Sequence, residues 1–324
     1  MTLKPFATFI ALCILLLSAA VRAEEYFFVA LGDTSYEIPD DYPLYRSLIA
    51  TINAANPGFS IHVGDTKGWG SCDDGFQLGQ KAFFDSFKHP VVYTFGNNEW
   101  ADCWKENRGS MDPLAVLQSM RAIFFAEAAS MGQAKMALQR QSDGEGFPKY
   151  SENVRWATRD VTFATVNVVG EHNNQLLRNE ALWREFVDRE QANVAWITAA
   201  FQNAASAGHK AIVVALHSDV FSELGKMEGG AFQPVLQAIS EGAAGFAGQV
   251  LVVHGHEHTF IIDRPLRVWD AEASTSVGDN VTRLEVYGWP DMKAVRVSVD
   301  TSKPWVFGFE PLYTEPSLSP AFQD

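Results

Sequence analysis

The chain is short of basic residues, of cysteine and of long apolar runs, and each shortage closes off a class of function. Lysine and arginine number 25 against 39 acidic residues, a formal charge of −14, so a grip on a nucleic-acid duplex through basic patches is disfavoured. Apart from one run near the start, no stretch approaches the ~20 apolar residues that a membrane span needs. Three familiar signatures are missing too: there is no Gly-x-Ser-x-Gly nucleophile turn, no Gly-x-x-x-x-Gly-Lys phosphate loop and no His-Glu-x-x-His.

The one early apolar run, Phe9 to Leu17, follows Lys4 and leads through small residues to Val21-Arg22-Ala23. That pattern fits an export signal cleaved after Ala23, and the run is too short to cross a ~30 Å hydrocarbon core. The expectation is residues 1–23 as signal peptide, residues 24–324 as one domain, and an exported protein, periplasmic or secreted, with no stable membrane insertion. Cleavage leaves 23 basic residues against 39 acidic ones, a charge of −16. It also leaves only Cys72 and Cys103. An even count in an oxidising compartment favours a disulfide over two buried thiols.

Three short apolar runs end in glycine and an oxygen ligand, at Asp33, Asp65 and Asn97, evenly spaced 32 positions apart. Two later runs end in imidazoles, at His217 and at His256 with His258. A buried strand has no need of Asp, Asn or His at its tip, so five such tips point to one site built from five elements. The periodicity supports this placing. Strands are predicted over Tyr26 to Leu31, Ser60 to Val63, Val91 to Phe95, Val161 to Val169, Ala211 to Leu216 and Val250 to Val253. Helices are predicted over Tyr42 to Ala55, Phe76 to Phe87, Asp112 to Met131 and Arg178 to Ala205. Units of about 30 residues alternating in this way signal βαβ crossovers. Val281 to Tyr287 and Lys293 to Val299 alternate apolar with polar, as half-exposed antiparallel strands do. In open α/β sheets the ligand site lies beyond the carboxyl ends of the strands.

Carboxylate, amide and imidazole together suit Zn, Mn, Fe or Co better than Ca or Mg, which prefer oxygen alone. One or two such ions are expected. Two ions sharing a carboxylate would clamp both oxygens of an in-line displacement at phosphorus, and a bound cation reconciles an acidic protein with an anionic ester.

In order, Gly32-Asp33-Thr34-Ser35, Gly64-Asp65, Gly96-Asn97-Asn98-Glu99, His217 and Gly255-His256-Glu257-His258 resemble the motifs of the calcineurin-like metallophosphoesterase superfamily. The resemblance runs from about Tyr26 to the last strands. It implies a four-layer α/β/β/α sandwich with two mixed β-sheets and the site at strand ends. It further implies Asp65 bridging two ions, Asn97, His217 and His256 completing one, and Asp33 and His258 serving the other. The implied substrate is a small-molecule phosphate mono- or diester. The alternatives are a catalytically impaired metal-binding protein that keeps the fold, and a one-metal hydrolase of a non-phosphate bond.

Two departures stand out. The family's first motif ends in His where Ser35 stands here. Branches lacking that His can use a Tyr three residues after the second Asp, where this chain has Gly68, leaving Tyr36 as the nearby substitute. Asn98 occupies the position of the His that helps protonate the leaving group, a loss that typically costs roughly 10²- to 10⁴-fold. His172, in a loop after a strand, is the candidate replacement donor, against a plain solvated role. Glu99 and Glu257 are candidates to orient ligands, against ordinary surface charge. His62 and His254 read as core residues or as partners of ligands. Trp69, Trp100 and Trp104 read as packing or as the wall of an apolar pocket.

Overall fold

The computed structural model describes residues 26–175, 179–222, 230–270 and 275–314; the expected signal peptide lies outside them. Two mixed β-sheets organise the chain. The first has the order β14-β13-β1-β2-β3, with β1 (Phe27–Leu31), β2 (Ser60–His62) and β3 (Val91–Tyr93) parallel, and β13 (Ala294–Val299) and β14 (Phe307–Leu312) antiparallel at one edge. The second has the order β4-β5-β6-β7-β8-β12-β9. Its centre is parallel: β6 (Val161–Thr165), β7 (Ala211–Ala215), β8 (Gln249–His254) and β12 (Val281–Glu285). Antiparallel strands flank it, β4 (Gln139–Arg140) and β5 (Val154–Thr158) on one side and β9 (Ile261–Asp263) on the other. A separate two-stranded antiparallel sheet is formed by β10 (Val268–Asp270) and β11 (Thr275–Val277).

Strand alternation shows how the sheets stack. On β7, Ala211, Val213 and Ala215 belong to the core shared with the first sheet, whereas Ile212 and Val214 belong to a second core. Leu251 and Val253 of β8 split from Val250 and Val252 in the same way. The second core is capped by α5 (Glu180–Ser206), through Trp196, Ile197 and Phe201, and by α6 (Gln233–Ala244), through Val235 and Ile239. The outer face of the first sheet is covered by α1 (Tyr42–Ala55), α2 (Asp74–Asp85) and α3 (Pro113–Phe124), whose Leu48, Ile52, Phe84 and Leu117 are buried. Between the sheets Phe28 and Phe59 meet Phe163 edge-on, with centroids 5.6 and 5.1 Å apart. This is the expected α/β/β/α sandwich.

Local chemistry sets the ends. Pro113 stands in the first turn of α3 and Asp112 caps the Leu114 N–H. The helix stops at Phe124, short of the expected Met131, because Met131 leaves to exchange both backbone hydrogen bonds with Val91. A second correction concerns β12, expected as antiparallel. It pairs antiparallel only with β9 and runs parallel to β8, which places Glu285 beside His254.

Candidate metal centre

Each proposed ligand sits just past a strand tip, and glycines let the tips approach one another. Asp33 follows β1 and Asp65 follows β2, both with positive φ, 49° and 51°. A Cβ on Gly64, itself at φ 99°, would lie 2.4 Å from the Gly96 nitrogen, and one on Gly96 would lie 2.1 Å from Asp65 Oδ1. A Cβ on Gly255 would lie 1.9 Å from Asp33 Oδ2. The Gly-Asp and Gly-His pairings therefore follow from how closely the loops meet.

The structure brings all six predicted residues together. His217 Nε2 lies 3.0 Å from Asn97 Oδ1 and 3.5 Å from Asp65 Oδ1. Asp65, His217 and His256 offer atoms within 4.8 Å of one another. On the other side His258 Nε2 lies 3.7 Å from Asp33 Oδ1, while the His256 N–H donates to the Asp33 carboxylate at 3.0 and 3.1 Å. Asp65 stands between the two groups.

Hydrogen bonding fixes what these atoms offer. His217 Nδ1 donates to the Val63 carbonyl at 2.8 Å. Burial holds this imidazole neutral by lowering its pKa to about 3, so its single proton is committed and Nε2 presents a lone pair. Asn97 Nδ2 donates to Asp102 Oδ2 and to Asn98 Oδ1, both at 3.0 Å, which turns Oδ1 toward His217. Two acceptors thus face each other at 3.0 Å beside a carboxylate. In the second group His258 Nδ1 donates to the Trp289 carbonyl at 2.7 Å, so that in the neutral ring Nε2 is the lone-pair nitrogen.

The Tyr36 side chain, next to Ser35, enters this second group. Its hydroxyl donates to Asp65 Oδ2 at 2.7 Å, lies 2.9 Å from His258 Nε2 and accepts from Asn98 Nδ2 at 3.3 Å. Gly68 makes room for it, since a Cβ there would lie 2.9 Å from the Tyr36 ring. One hydroxyl proton cannot satisfy two acceptors, so this group too is deficient in positive charge. Burial, then the neighbouring Asp65, pushes Asp33 well above the usual carboxylate range; burial raises Asp65 as well. The donor set fits a divalent cation at each group.

The accessory residues divide. Asn98 is buried, and its amide is spent on the Lys67 carbonyl at 2.8 Å and on Tyr36, while its backbone N–H donates to Asp65 Oδ1 at 3.0 Å. His172 is exposed on the one-turn α4 (Gly170–Asn173), whose first residue packs so tightly on His256 that a Cβ would lie 2.0 Å from Cε1. Glu99 is buried and accepts from the Thr66 N–H at 2.7 Å and from the Tyr93 hydroxyl at 3.0 Å; burial and Asp65 raise it to about 7. Glu257 is half exposed, 3.9 Å from His256 Nε2. His62 and His254 are fully buried. Trp100 is buried under Arg189, whereas Trp69 and Trp104 are exposed. Cys72 and Cys103 form a disulfide, tying the loop after Asp65 to the loop after Asn97.

Sequence reading missed Asp102, Gly170 and the Trp289 carbonyl. Asp102 carried a signal in being an acid five residues after Asn97. A backbone carbonyl carries none.

No protein-family model and no curated protein sequence matches the chain. Among solved structures it is similar to a dimetal phosphatase from Danio rerio, at 10% identity and TM-score 0.47, covering 90% of this chain and 99% of that one. It is also similar to GAP50, described as the anchor in the inner membrane complex of Plasmodium, at 9% identity and TM-score 0.44, covering 90% and 89%. Likeness at this level says nothing of chemistry. Among the described residues no helix is long and apolar enough to cross a membrane.

Proposed function

We propose that this chain is an exported metal-dependent phosphoesterase acting on a small-molecule phosphate mono- or diester. The observation that carries the reading is a convergence of acceptors with too few donors: His217 Nε2 and Asn97 Oδ1 face each other beside Asp65 Oδ1 with no proton between them in one group, and in the other Asp65 Oδ2 and His258 Nε2 share the one Tyr36 hydroxyl proton beside the Asp33 carboxylate. Buried polar atoms are almost always paired, and a pair of divalent ions satisfies both groups at once. Asn97, His217 and His256 would hold one ion, Asp33, His258 and Tyr36 the other, with Asp65 between them. Bound there, such ions polarise a phosphoryl oxygen and make water nucleophilic at neutral pH.

The chain's own residues orient and shield. The Val63 and Trp289 carbonyls fix the tautomers of His217 and His258, as partners of metal-bound imidazoles commonly do. Asp102 fixes which atom Asn97 presents. Asn98, with no ionisable proton, holds the Asp65 and Lys67 loops together, so proton delivery to the leaving group falls to His172 or to solvent. Export rests on the leader pattern and agrees with the disulfide.

The second reading is a metal-binding protein that keeps the fold without turnover. It is favoured by the Asn98 amide, which is spent on protein partners at the position where the resemblance expects an acid. Elemental analysis of the purified protein, with hydrolysis assays on activated mono- and diesters and His217→Ala as control, separates the two. Metal with hydrolysis abolished by His217→Ala supports the enzyme; metal without hydrolysis selects the binding protein; no metal in a folded sample rejects both.

A further inference from the structure

A second constellation lies at the tips of three neighbouring parallel strands and is not used by the proposed chemistry. Asp219 follows β7, His254 ends β8 and Glu285 ends β12, and parallel register sets Glu285 directly beside His254. All three are buried, and their ligand atoms lie within 4.8 Å of one another.

Two of these atoms are orphans. His254 Nδ1 donates to the Gly255 carbonyl at 2.9 Å, so Nε2 is the lone-pair nitrogen. Among the described residues it has no hydrogen-bond partner, and neither has Glu285 Oε2. The other carboxylate oxygen of Glu285 accepts from the Thr259 N–H at 2.9 Å, which fixes the direction in which Oε2 points. Asp219 Oδ1 accepts from the Phe221 N–H at 2.8 Å and lies 3.8 Å from His254 Nε2. Zn–N and Zn–O bonds of ~2.0 to 2.2 Å in a tetrahedral array place neighbouring ligand atoms roughly 3.4 Å apart, so a small contraction closes the site.

Charge points the same way. Arg283 Nη1 pairs with Asp219 Oδ2 at 2.9 Å, and the same guanidinium also pairs with Asp263. Among the described residues one cation, shared with the exposed Asp263, therefore serves the Asp219 and Glu285 carboxylates beside the imidazole. Burial raises Glu285 to about 8 in spite of Arg283, the direction a carboxylate takes when it is removed from water.

We propose that Asp219, His254 and Glu285 bind a further divalent cation of the Zn, Mn, Fe or Co class, separate from the centre at Asp65. Two carboxylates and one imidazole suit that class. The ion would pin the tips of β7, β8 and β12 and thereby fix the turn from Gly255 to His258, which carries two residues of the first centre. Its role is positional, and it does not depend on the phosphoesterase reading.

The test is anomalous diffraction from crystals of the full exported chain soaked in Zn²⁺ alone, with elemental analysis of wild type, Glu285→Gln, His254→Gln and Asp65→Asn after equal dialysis against Zn²⁺. The expected result is an anomalous peak bounded by Asp219, His254 and Glu285. Glu285→Gln and His254→Gln should each lose about one equivalent of Zn²⁺ with an unchanged far-UV circular dichroism spectrum. Asp65→Asn should keep this peak while losing the peaks at its own site, so failure of one centre is distinguishable from failure of the other. Water-like density without anomalous signal in the wild type overturns the proposal, as does unchanged Zn²⁺ content in both cluster variants. The wild-type map decides even where a variant does not fold.

Discussion

Tyr36→Phe is the most incisive perturbation of the first centre, because it removes one oxygen and leaves the ring. The ring is held without it: it stacks on Trp289 at 6.3 Å and meets His258 edge-on at 4.7 Å, so the fold should survive. In metal-free protein the change leaves Asp65 Oδ2 without its 2.7 Å donor, an unsatisfied buried acceptor costing about 1 to 3 kcal/mol. In loaded protein it removes one of the four groups assigned to that ion. Losing even an outer partner of a ligand costs ~10- to 100-fold in metal affinity, so losing a ligand should cost at least ~100-fold, about 2.8 kcal/mol. The ion held by Asn97, His217 and His256 keeps its own ligands. Elemental analysis after dialysis at a free-metal level that saturates wild type should therefore show metal content falling by about one equivalent. A Tyr36→Phe protein that binds the full complement with wild-type affinity refutes Tyr36 as a ligand and leaves the hydroxyl as a hydrogen-bond donor only.

Three further outcomes follow from the same geometry. Glu99 and Glu285, raised by burial to about 7 and 8, bind protons in the folded state that the unfolded chain releases near pH 4.5. Metal-free protein should thus lose stability as pH rises, by up to about 1.4 kcal/mol per pH unit per group. His217 and His62, lowered by burial to about 3, act oppositely, but only below about pH 6.5. Thermal melts in chelator should accordingly show stability falling between pH 6.5 and 8; a rise across that window contradicts the charge assignment. Reduction of Cys72–Cys103, or Cys103→Ser, should lower unfolding free energy by about 3 to 4 kcal/mol, read by denaturant titration, and two alkylatable thiols in the exported protein would count against a bridge. Gly170→Ala, which puts a methyl against the His256 ring, should reduce metal content with little change in the circular dichroism spectrum; wild-type metal content in that variant denies the contact a role.

How much of this was legible beforehand depended on whether the signal was local. Helix α1 coincides with the segment that periodicity predicts, and β1, β7 and β8 read as continuous apolar runs because both of their faces are covered. The six residues at strand tips were legible because a polar side chain there has no packing reason to exist. What stayed hidden is pairwise. The short edge strands β4 and β9 take their structure from neighbours rather than from pattern. The parallel partner of β12 was invisible because an alternating strand looks alike whichever way its neighbour runs. Tyr36 could be placed only as nearby, since its position depends on the space above Gly68, which is distant in sequence.

Backbone strain supplies a line of support that owes nothing to motifs. Non-glycine residues rarely adopt positive φ, since the left-handed region costs an L-residue roughly 1 to 2 kcal/mol. Yet five of the twelve described non-glycine residues that do so, Asp33, Ser35, Asp65, His256 and His258, stand at these tips, at φ between 49° and 83°. Four of these five are the proposed ligands that directly follow β1, β2 and β8. Each strand delivers the chain running along the sheet, and a left-handed residue just past its end turns the backbone there. Such strain persists only where the surroundings over-determine it, and it gathers at functional sites. Here the surroundings are hydrogen bonds to the ligand loops themselves: the Asp33 N–H to the Gly64 carbonyl, the Thr34 N–H to the Asp65 carbonyl, and the Trp289 N–H to the Asp33 carbonyl. These bonds hold the Asp33 and Asp65 backbones in place before any cation binds, so the ordering entropy of these two ligand loops is already lost during folding.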